Sequence, residues 1–374
     1  MFTVALIFSN YGPYHLARLN SAHTYCKQMG WSTVGIELFR SEIEYPWQTQ
    51  IQDFPIVSVV ENQRYKQAGL RQLIPRLYAI LAEINPDVLA IAGYANPAML
   101  STLGWCLLHR KPAILMTASK EDDATRNWWQ EIFKGWLLKG YQSALVGGKP
   151  QKRYLNKLGM AAEAVFSGYN VVGNESFNRE KIQHYTRPLE KPFFLSINRF
   201  IPKKNLFFLI SAYAAYRQLA GVNAWDLVLC GDGELRPQIE QRISTLNLQN
   251  YVHLPGFLQQ DQLLPYFAHA SCFIHASTQE QWGLAVNEAM AASLPVLVSN
   301  RCGCYEDLVI EGENGFGFDP ENSPQLISLM LKISSLEVDL QAMGKASIAH
   351  IQKFSPDRFA QGLVQAVEYA LAHY

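Results

Sequence analysis

The sequence lacks the features that define several large classes of protein. No run approaches the roughly 20 consecutive apolar residues that a membrane-spanning helix needs. The apolar stretch at residues 2–8 has no basic segment ahead of it, which predicts a first β-strand and not a signal peptide. The 32 Lys and Arg balance the 32 Asp and Glu, so nucleic acid is not an expected partner. Six cysteines without a paired spacing are typical of the reducing cytoplasm, where we expect this protein to be located.

Recognisable metal and dinucleotide motifs are missing as well. Cys302 and Cys304 are too close together and too isolated to indicate a zinc site. No Asp-x-Asp pair occurs, so we expect neither a metal ion nor a resident cofactor. The turn containing Gly231 and Gly233 lacks the third glycine of a dinucleotide fingerprint.

Length and charge distribution predict two domains. A chain of 374 residues that is 49% hydrophobic is too long for one ordinary core. Residues 1–190 hold 20 basic and 15 acidic side chains, whereas residues 191–374 hold 12 and 17. A basic first half is compatible with an anionic acceptor or an anionic membrane surface. The predicted segments are a first domain at 1–172, a linker at 173–190, a second domain at 191–355 and a helix at 356–374 that crosses back, with Ser355 as its cap and Pro356 at its start.

The first half alternates between strand and helix patterns. Apolar runs of strand length occur at residues 4–8, 31–38, 56–60, 88–92 and 113–116, and helical stretches at 67–84 and 97–108. This alternation predicts a parallel sheet covered by helices on both faces. Ligands bind at the carboxyl ends of such strands, which directs attention to the loops at residues 10–15, 93–97 and 117–123. His15 and Tyr94 are therefore candidates on the acceptor side.

Two glutamates eight residues apart, Glu280 and Glu288, are the centre of the second half. Glu280 is predicted in a loop after a strand, and Glu288 on a helix that starts near Gly283. A helix start favours phosphate, so the amides near Gly283 and Leu284 are suited to a diphosphate. The carboxylates are suited to sugar hydroxyls at Glu280 and ribose hydroxyls at Glu288. In the alternative interpretation, Glu280 is a surface loop residue and Glu288 a solvated helix residue.

Residues 277–318 resemble glycosyltransferase family 4. The resemblance rests on Glu-x7-Glu around Trp-Gly-Leu, followed by Glu-Ala-Met-Ala, Leu-Pro-Val, Gly-x-x-Glu and Asn-Gly. Members of that family are retaining enzymes of the GT-B fold. The resemblance implies two doubly wound, Rossmann-like α/β domains facing one another across a cleft. The first domain would bind the acceptor and the second the nucleotide diphosphate sugar.

The resemblance also assigns roles in the second domain. Arg199 and Lys204, five apart in the loop after a strand, correspond to the cations that bind the donor diphosphate, although Lys203 is adjacent and leaves the register open. Fixed cations of this kind stabilise the charge that develops on a leaving phosphate. The remaining implied donor positions are the turn at Gly231 and Gly233 and the backbone around Leu254 and Gly256. His253 and His275 lie in predicted strands, which favours structural roles for both.

The acceptor side departs from the family pattern. Many relatives have a histidine near the end of the strand that ends here at residue 116, and this chain has none there. Either Ser119, Lys120 and the following acids replace it, or His15 takes its place. The acceptor-side candidates from this stretch are Ser119, Asp122, Asp123 and Arg126.

Residues 126–158 combine seven basic side chains and one acidic side chain with three tryptophans. Basic residues with tryptophans in an amphipathic helix are typical of peripheral membrane contact. The alternative is an ordinary core helix with a basic outer face.

We therefore expect a retaining, hexosyltransferase-like enzyme in polysaccharide or glycoconjugate synthesis. It would move a sugar from a UDP- or GDP-sugar to a hydroxyl of a sugar, lipid-linked or small-molecule acceptor, in the cytoplasm and in contact with an anionic membrane. The alternatives are a sugar-nucleotide epimerase, a phosphorylase on the same fold, and a catalytically degenerate sugar-nucleotide-binding subunit.

Overall fold

The computed structural model describes residues 1–40, 55–60, 69–124, 126–335 and 337–374. These residues separate into two units. The first unit comprises the described residues within 1–121, 125–173 and 354–374, and the second comprises 122–124 and the described residues of 174–353. The stretch predicted as a linker, 173–190, therefore lies in the second unit from residue 174 onward.

The described strands of the first unit form one parallel sheet. The strands are β1 (Thr3–Phe8), β2 (Ser32–Phe39), β3 (Ile56–Val60), β4 (Val88–Ala92), β5 (Ala113–Thr117), β6 (Ser143–Val146) and β7 (Val165–Ser167), and the helices between them are α1 (Pro13–Gln28), α2 (Leu70–Ile84), α3 (Pro97–His109), α4 (Trp128–Leu138) and α5 (Lys149–Lys157). Their order is β3-β2-β1-β4-β5-β6-β7, so the order reverses between β1 and β4. The strands are almost continuously apolar because apolar cores cover the sheet on both faces.

The second unit repeats this plan around a second parallel sheet of the described residues. Its strands are β8 (Phe193–Ile197), β9 (Asp226–Cys230), β10 (Val252–Gly256), β11 (Cys272–His275), β12 (Val296–Ser299) and β13 (Gly315–Phe318). Its helices are α6 (Arg179–Ile182), α7 (Leu206–Ala220), α8 (Arg236–Thr245), α9 (Gln260–His269), α10 (Leu284–Ala291), α11 (Tyr305–Leu308), α12 (Ser323–Ser334) and α13 (Leu340–Ile351). The strand order is β10-β9-β8-β11-β12-β13, and it reverses between β8 and β11.

The last helix, α14 (Pro356–Ala372), belongs to the first unit. Its buried face carries Phe359, Leu363 and Val367, which join the core cluster that contains Val4 and Leu6 of β1. Pro356 begins this helix as predicted, but the expected cap is wrong in one respect. Ser355 occupies the capping position without a side-chain hydrogen bond to the helix, and the Arg358 and Phe359 amides donate to its backbone carbonyl instead.

The prediction of two doubly wound, Rossmann-like sheets is confirmed by these two topologies. Element boundaries differ from the sequence-based ones by one to three residues. The helix predicted at residues 67–84 begins at Leu70, and residues 67 and 68 of that prediction lie outside the described part of the chain. No helix among the described residues is both long enough and apolar enough to cross a bilayer.

Candidate active site

Lys204 and Glu280 meet at the point where the second sheet reverses its strand order. Lys204 follows β8 and Glu280 follows β11, and these two strands are neighbours. The Lys204 ammonium and the Glu280 carboxylate form an ion pair in which both side chains are largely buried. Lys203, by contrast, is exposed. Ligands bind at the switch point of a doubly wound sheet, so this ion pair defines the candidate site. Of the two adjacent lysines, Lys204 is the one that lies in it.

Glu280 has two further hydrogen-bond partners, at the end of β11 and on the loop that follows it. His275 Nε2 lies 3.3 Å from Glu280 Oε2, and Ser277 Oγ donates to the same oxygen over 3.4 Å. Burial alone would raise the pKa of Glu280, but the hydrogen bond from His275 and the charge of Lys204 outweigh it and hold the pKa well below its usual range. Glu280 is therefore an ionised hydrogen-bond acceptor at neutral pH.

His275 is the site residue that the sequence interpretation missed. Its place in a strand favoured a structural role, yet it is the last residue of β11 and its ring faces Glu280. Burial lowers the pKa of His275, so the ring is neutral. Because the ionised Glu280 carboxylate can only accept a hydrogen bond, we assign the ring proton of His275 to Nε2. Among the described residues Nδ1 has no hydrogen-bond partner. In the sequence, the feature that could have identified His275 as a site residue is its position two residues before Ser277.

Backbone contacts hold the loop that carries Glu280 against the turn after β12. The Gly303 amide donates to the Glu280 carbonyl over 3.0 Å, and the Cys304 amide donates to the Trp282 carbonyl over 3.1 Å. The turn at Gly303 thus fixes the backbone of the residue that carries the carboxylate. Gly283 caps α10 with a φ of 109°, which a residue with a side chain rarely adopts. The amides of the α10 start are consequently presented beside Glu280.

Glu288 lies in the middle of α10 and is only 4% exposed. The alternative in which it is a solvated helix residue is therefore wrong. A buried carboxylate needs hydrogen-bond partners or a cation, because its desolvation is costly. The binding of ribose hydroxyls by Glu288 stays a prediction.

Glycines fix the loop that carries Arg199. A Cβ atom on Gly231 would lie 1.8 Å from the Asn198 carbonyl oxygen, and one on Gly233 would lie 2.6 Å from that of Phe200. The Phe200 amide donates to the Asp232 carbonyl over 2.8 Å, which joins the two loops. The two glycines therefore position Arg199, which is half-buried, whether or not they also touch a ligand.

Leu254 and Gly256 are placed at the end of β10, beside this turn. The Gly256 carbonyl accepts from the Gly231 amide over 2.8 Å, and the Leu254 carbonyl accepts from Arg236 over 3.4 Å. His253 pairs with the Asp226 carboxylate at 3.0 Å, away from Glu280, in keeping with the structural role predicted for it.

The first-unit candidates follow three adjacent strands of their own sheet. His15 is on α1 after β1, Tyr94 follows β4, and Ser119 follows β5. The His15 ring packs on Phe8 with centroids 4.3 Å apart. Although part of His15 reaches solvent, burial of its ring and the nearby charge of Arg18 lower its pKa to about 3. His15 is thus a neutral imidazole that can hydrogen-bond but is a weak base.

The three remaining acceptor-side candidates have separate surroundings. Asp122 and Asp123 belong to the second unit, together with Ala124. Arg126 belongs to the first unit, and its side chain contacts other residues of that unit. Its Nε donates to the Glu121 carbonyl over 2.7 Å, and its guanidinium lies 4.7 Å from the centre of the Tyr154 ring.

No group of three or more His, Cys, Asp or Glu side chains among the described residues has the geometry to hold a metal ion.

Residues 177–350 match the family model described as "Glycosyl transferases group 1". Among curated proteins, the chain is similar to the lipopolysaccharide core biosynthesis glycosyltransferase LpsE of Rhizobium meliloti (strain 1021). The two are 29% identical over 181 residues, which is 48% of this chain and 50% of that protein. The chain thus spans about half the length of this relative.

Solved structures resemble the chain over nearly its whole length. A glycosyltransferase from Rickettsia africae ESF-5 matches with a TM-score of 0.75 and 14% identity, covering 100% of this chain and 99% of that one. Anabaena Alr3699/HepE in complex with UDP and glucose matches with a TM-score of 0.75 and 17% identity, covering 98% and 100%. At this identity the likeness shows the fold.

The fold is that of the GT-B glycosyltransferases, with two Rossmann-like domains. The stretch that matches the group 1 glycosyl transferase model contains the Lys204–Glu280 pair, His275 and Glu288.

Proposed function

We propose that the chain is a retaining glycosyltransferase of the family 4 type. It transfers a sugar from a UDP- or GDP-sugar to an acceptor hydroxyl in polysaccharide or glycoconjugate synthesis. The observation that carries this proposal is the ionised Glu280, held by Lys204 and His275 at the switch point of the second sheet. The group 1 domain match over the same residues supports it.

In this proposal the donor occupies the carboxyl ends of β8 and β11. Arg199 and Lys204 stabilise the leaving diphosphate together with the α10 amides at Gly283 and Leu284. Glu288 accepts the ribose hydroxyls. The turn at Gly231 and Gly233 and the backbone at Leu254 and Gly256 border the nucleotide.

The chemistry proceeds on one face of the sugar. The bond from the anomeric carbon to the phosphate oxygen breaks, and the acceptor oxygen bonds to the same face of that carbon. The transition state resembles an oxocarbenium ion, and the acceptor proton passes to the departing phosphate. Glu280 orients the sugar through its hydroxyls, since a carboxylate with so low a pKa accepts hydrogen bonds and does not serve as a general acid. No step in this scheme uses a metal ion, and we expect turnover in excess EDTA.

The acceptor is assigned to the first unit, near His15, Tyr94 and Ser119, and is a sugar, lipid-linked or small-molecule alcohol. A neutral His15 would position that alcohol by a hydrogen bond. The membrane contact predicted from the sequence involves a separate surface, the exposed face of α4.

A donor screen tests this function. Thermal unfolding is followed with UDP, GDP, ADP and their sugar conjugates, beginning with UDP-glucose because HepE is solved with UDP and glucose. Release of free sugar is measured in the same samples, with and without EDTA. A ligand at a hundred times its dissociation constant adds about 2.7 kcal/mol to the free energy of unfolding, which is easily seen. We expect one nucleotide to stabilise the protein and its sugar conjugate to be slowly hydrolysed.

Two variants and a control make the screen specific. Glu288→Ala should abolish most of the stabilisation, and Glu280→Gln should keep nucleotide binding but lose sugar release. Glu240→Ala removes an exposed glutamate of the same unit that pairs with Arg236, and should change neither. Nucleotide binding without any sugar release would indicate a degenerate binding subunit. Isomerised donor would indicate an epimerase, and release that requires inorganic phosphate a phosphorylase.

A further inference from the structure

Helix α4 presents five large apolar residues to solvent, while Leu138 at its end is buried. Trp128, Trp129, Ile132, Phe133 and Trp136 are each more than half exposed, and Trp136 reaches 66%. Their spacing places all five on one side of the helix. Two pairs of these rings touch, with centroids 3.6 Å apart for Trp128 and Trp129. We call these five residues the aromatic face. Soluble proteins rarely leave such a contiguous apolar patch without a partner.

Two charged residues of the same helix, Glu131 and Lys134, face the protein instead. Lys134 donates to Glu131 over 2.8 Å, and the Tyr154 hydroxyl of α5 donates to the same carboxylate over 2.8 Å. The Arg126 guanidinium covers the Tyr154 ring. A Cβ on Gly135 would lie 2.8 Å from the Leu158 carbonyl oxygen, so this glycine lets α4 approach closely. The helix is therefore fixed in place by polar contacts and packing on its inner side. The alternative of a core helix with a basic outer face is wrong.

Basic side chains are exposed on α5, the helix that packs against α4. Lys149, Arg153 and Lys157 of α5 are exposed and recur every four residues, which places them in one row. Lys139, directly after α4, is also exposed. Glu121 pairs with Lys157 in an exposed ion pair, an interaction that is weak in water. Tryptophan with lysine and arginine is the composition of surfaces that lie at the boundary between lipid headgroups and acyl chains.

We propose that the aromatic face of α4 and the basic row of α5 dock the protein on an anionic lipid bilayer. The rings enter the boundary between headgroups and acyl chains, while the cations contact anionic headgroups. A second copy of the chain fits this surface less well, because a twofold contact would bring two basic surfaces together. The docking requires neither donor nor turnover, so it stands or falls independently of the proposed activity.

Flotation of the purified full chain with vesicles tests the docking. We expect binding to phosphatidylcholine vesicles that contain phosphatidylglycerol, weaker binding to phosphatidylcholine alone, and release by salt. Of the tryptophans that the structure describes, only the three on α4 are more than half exposed. Their emission should shift to the blue on binding, and brominated acyl chains should quench it.

The double variant Trp129→Ser with Trp136→Ser should bind at least about tenfold more weakly. Leu219→Ser with Val222→Ser is the matched control, since it removes two exposed apolar side chains from the second unit and should bind like the unmodified protein. Lys149→Glu with Arg153→Glu should remove the preference for anionic vesicles.

The proposal is overturned if the protein binds neither vesicle, or binds both equally. The proposal is also overturned if no vesicle binding occurs and the protein instead forms a dimer that the tryptophan double variant dissociates. The aromatic face would then be an interface between two copies of the chain.

Discussion

At the scale of single residues, the candidate site depends on how Glu280 is held. A lone carboxylate in a largely buried loop would be driven toward its neutral form, and its rotamer would be free to change. His275, Ser277 and Lys204 all converge on one oxygen, Oε2, and this leaves Oε1 as the atom suited to a sugar hydroxyl. In the proposed function, one oxygen of Glu280 is thus held by the protein and the other is directed to the sugar.

His275 is a positioning residue, and its replacement should be visible in kinetics. His275→Phe removes the hydrogen bond to a charged group, which is worth about 1.5–3 kcal/mol. We expect kcat/KM for the donor to fall by about tenfold to a hundredfold. The pKa of Glu280 should rise, so the acid side of the pH–rate profile moves to higher pH. His275→Gln retains a donor near the position of Nε2 and should recover part of the loss.

The control for this experiment is another strand histidine that pairs with a carboxylate. His253→Gln disturbs the contact with Asp226 in the same unit, outside the candidate site. It should leave the pH–rate profile in place. An equal kinetic loss in both histidine variants would mean that His275 acts only on stability.

At the scale of elements, close approaches at glycine fix the loops around the site. The β9–α8 turn can lie on the β8–α7 loop only because Gly231 has no side chain and a φ of 131°. The loop after β8 in turn carries Arg199 and leads into Lys204. A small change in this contact therefore affects two of the proposed phosphate ligands together.

Gly231→Ala should separate these two loops. The new methyl group would overlap the Asn198 carbonyl, and the backbone would also be strained, so we expect the free energy of unfolding to fall by about 2 kcal/mol or more. Donor affinity should fall as well, because Arg199 is displaced. Thermal unfolding and nucleotide titration measure the two effects.

Gly221→Ala is the matched control in the same unit. Its φ is also positive, at 58°, but no atom lies within 4 Å of the position of the new Cβ. Only backbone strain of about 1–3 kcal/mol should remain, with nucleotide affinity unchanged. If Gly221→Ala weakened the donor as much as Gly231→Ala, the loss would reflect general destabilisation and not the loop contact.

Helix α4 shows where sequence patterns stop being informative. The spacing of Trp129, Phe133 and Trp136 reveals one apolar side, but periodicity does not state whether that side faces the core or the solvent. That orientation follows from contacts distant in sequence, such as Tyr154 with Glu131. For the same reason His275 was missed, since nothing in a strand pattern shows which loop its ring faces. The first sheet, in contrast, was predictable from its apolar runs, and the second sheet, Glu280 and Lys204 from the resemblance to a known family.

At the scale of the whole molecule, buried neutral histidines make stability depend on pH. The pKa of His15 is about 3 in the folded protein, against about 6.5 in an unfolded chain. Below about pH 6.5 the unfolded chain therefore binds a proton that the folded one does not. Stability contributed by the neutral ring is present above that pH and is lost as the pH falls toward 3. We expect about 1–2 kcal/mol to be lost from this residue between pH 6.5 and 5.

His15→Phe should flatten this part of the profile. Phenylalanine keeps a ring beside Phe8 but binds no proton, so the melting temperature should decline less steeply between pH 6.5 and 5. Leu19→Val is the control from the same core cluster, and it should lower the melting temperature by a similar amount at every pH. An unchanged slope in His15→Phe would assign the acid sensitivity to other groups.

The placement of α14 has a consequence for biosynthesis. On the ribosome, β1 emerges before the residues that cover it, since Phe359, Leu363 and Val367 are made more than 300 positions later. The second unit, at 174–353, is synthesised in full before the first can close its core. Nascent chains halted ahead of α14 should therefore expose one face of the first sheet and recruit chaperones there, whereas their second unit is already protected from proteases.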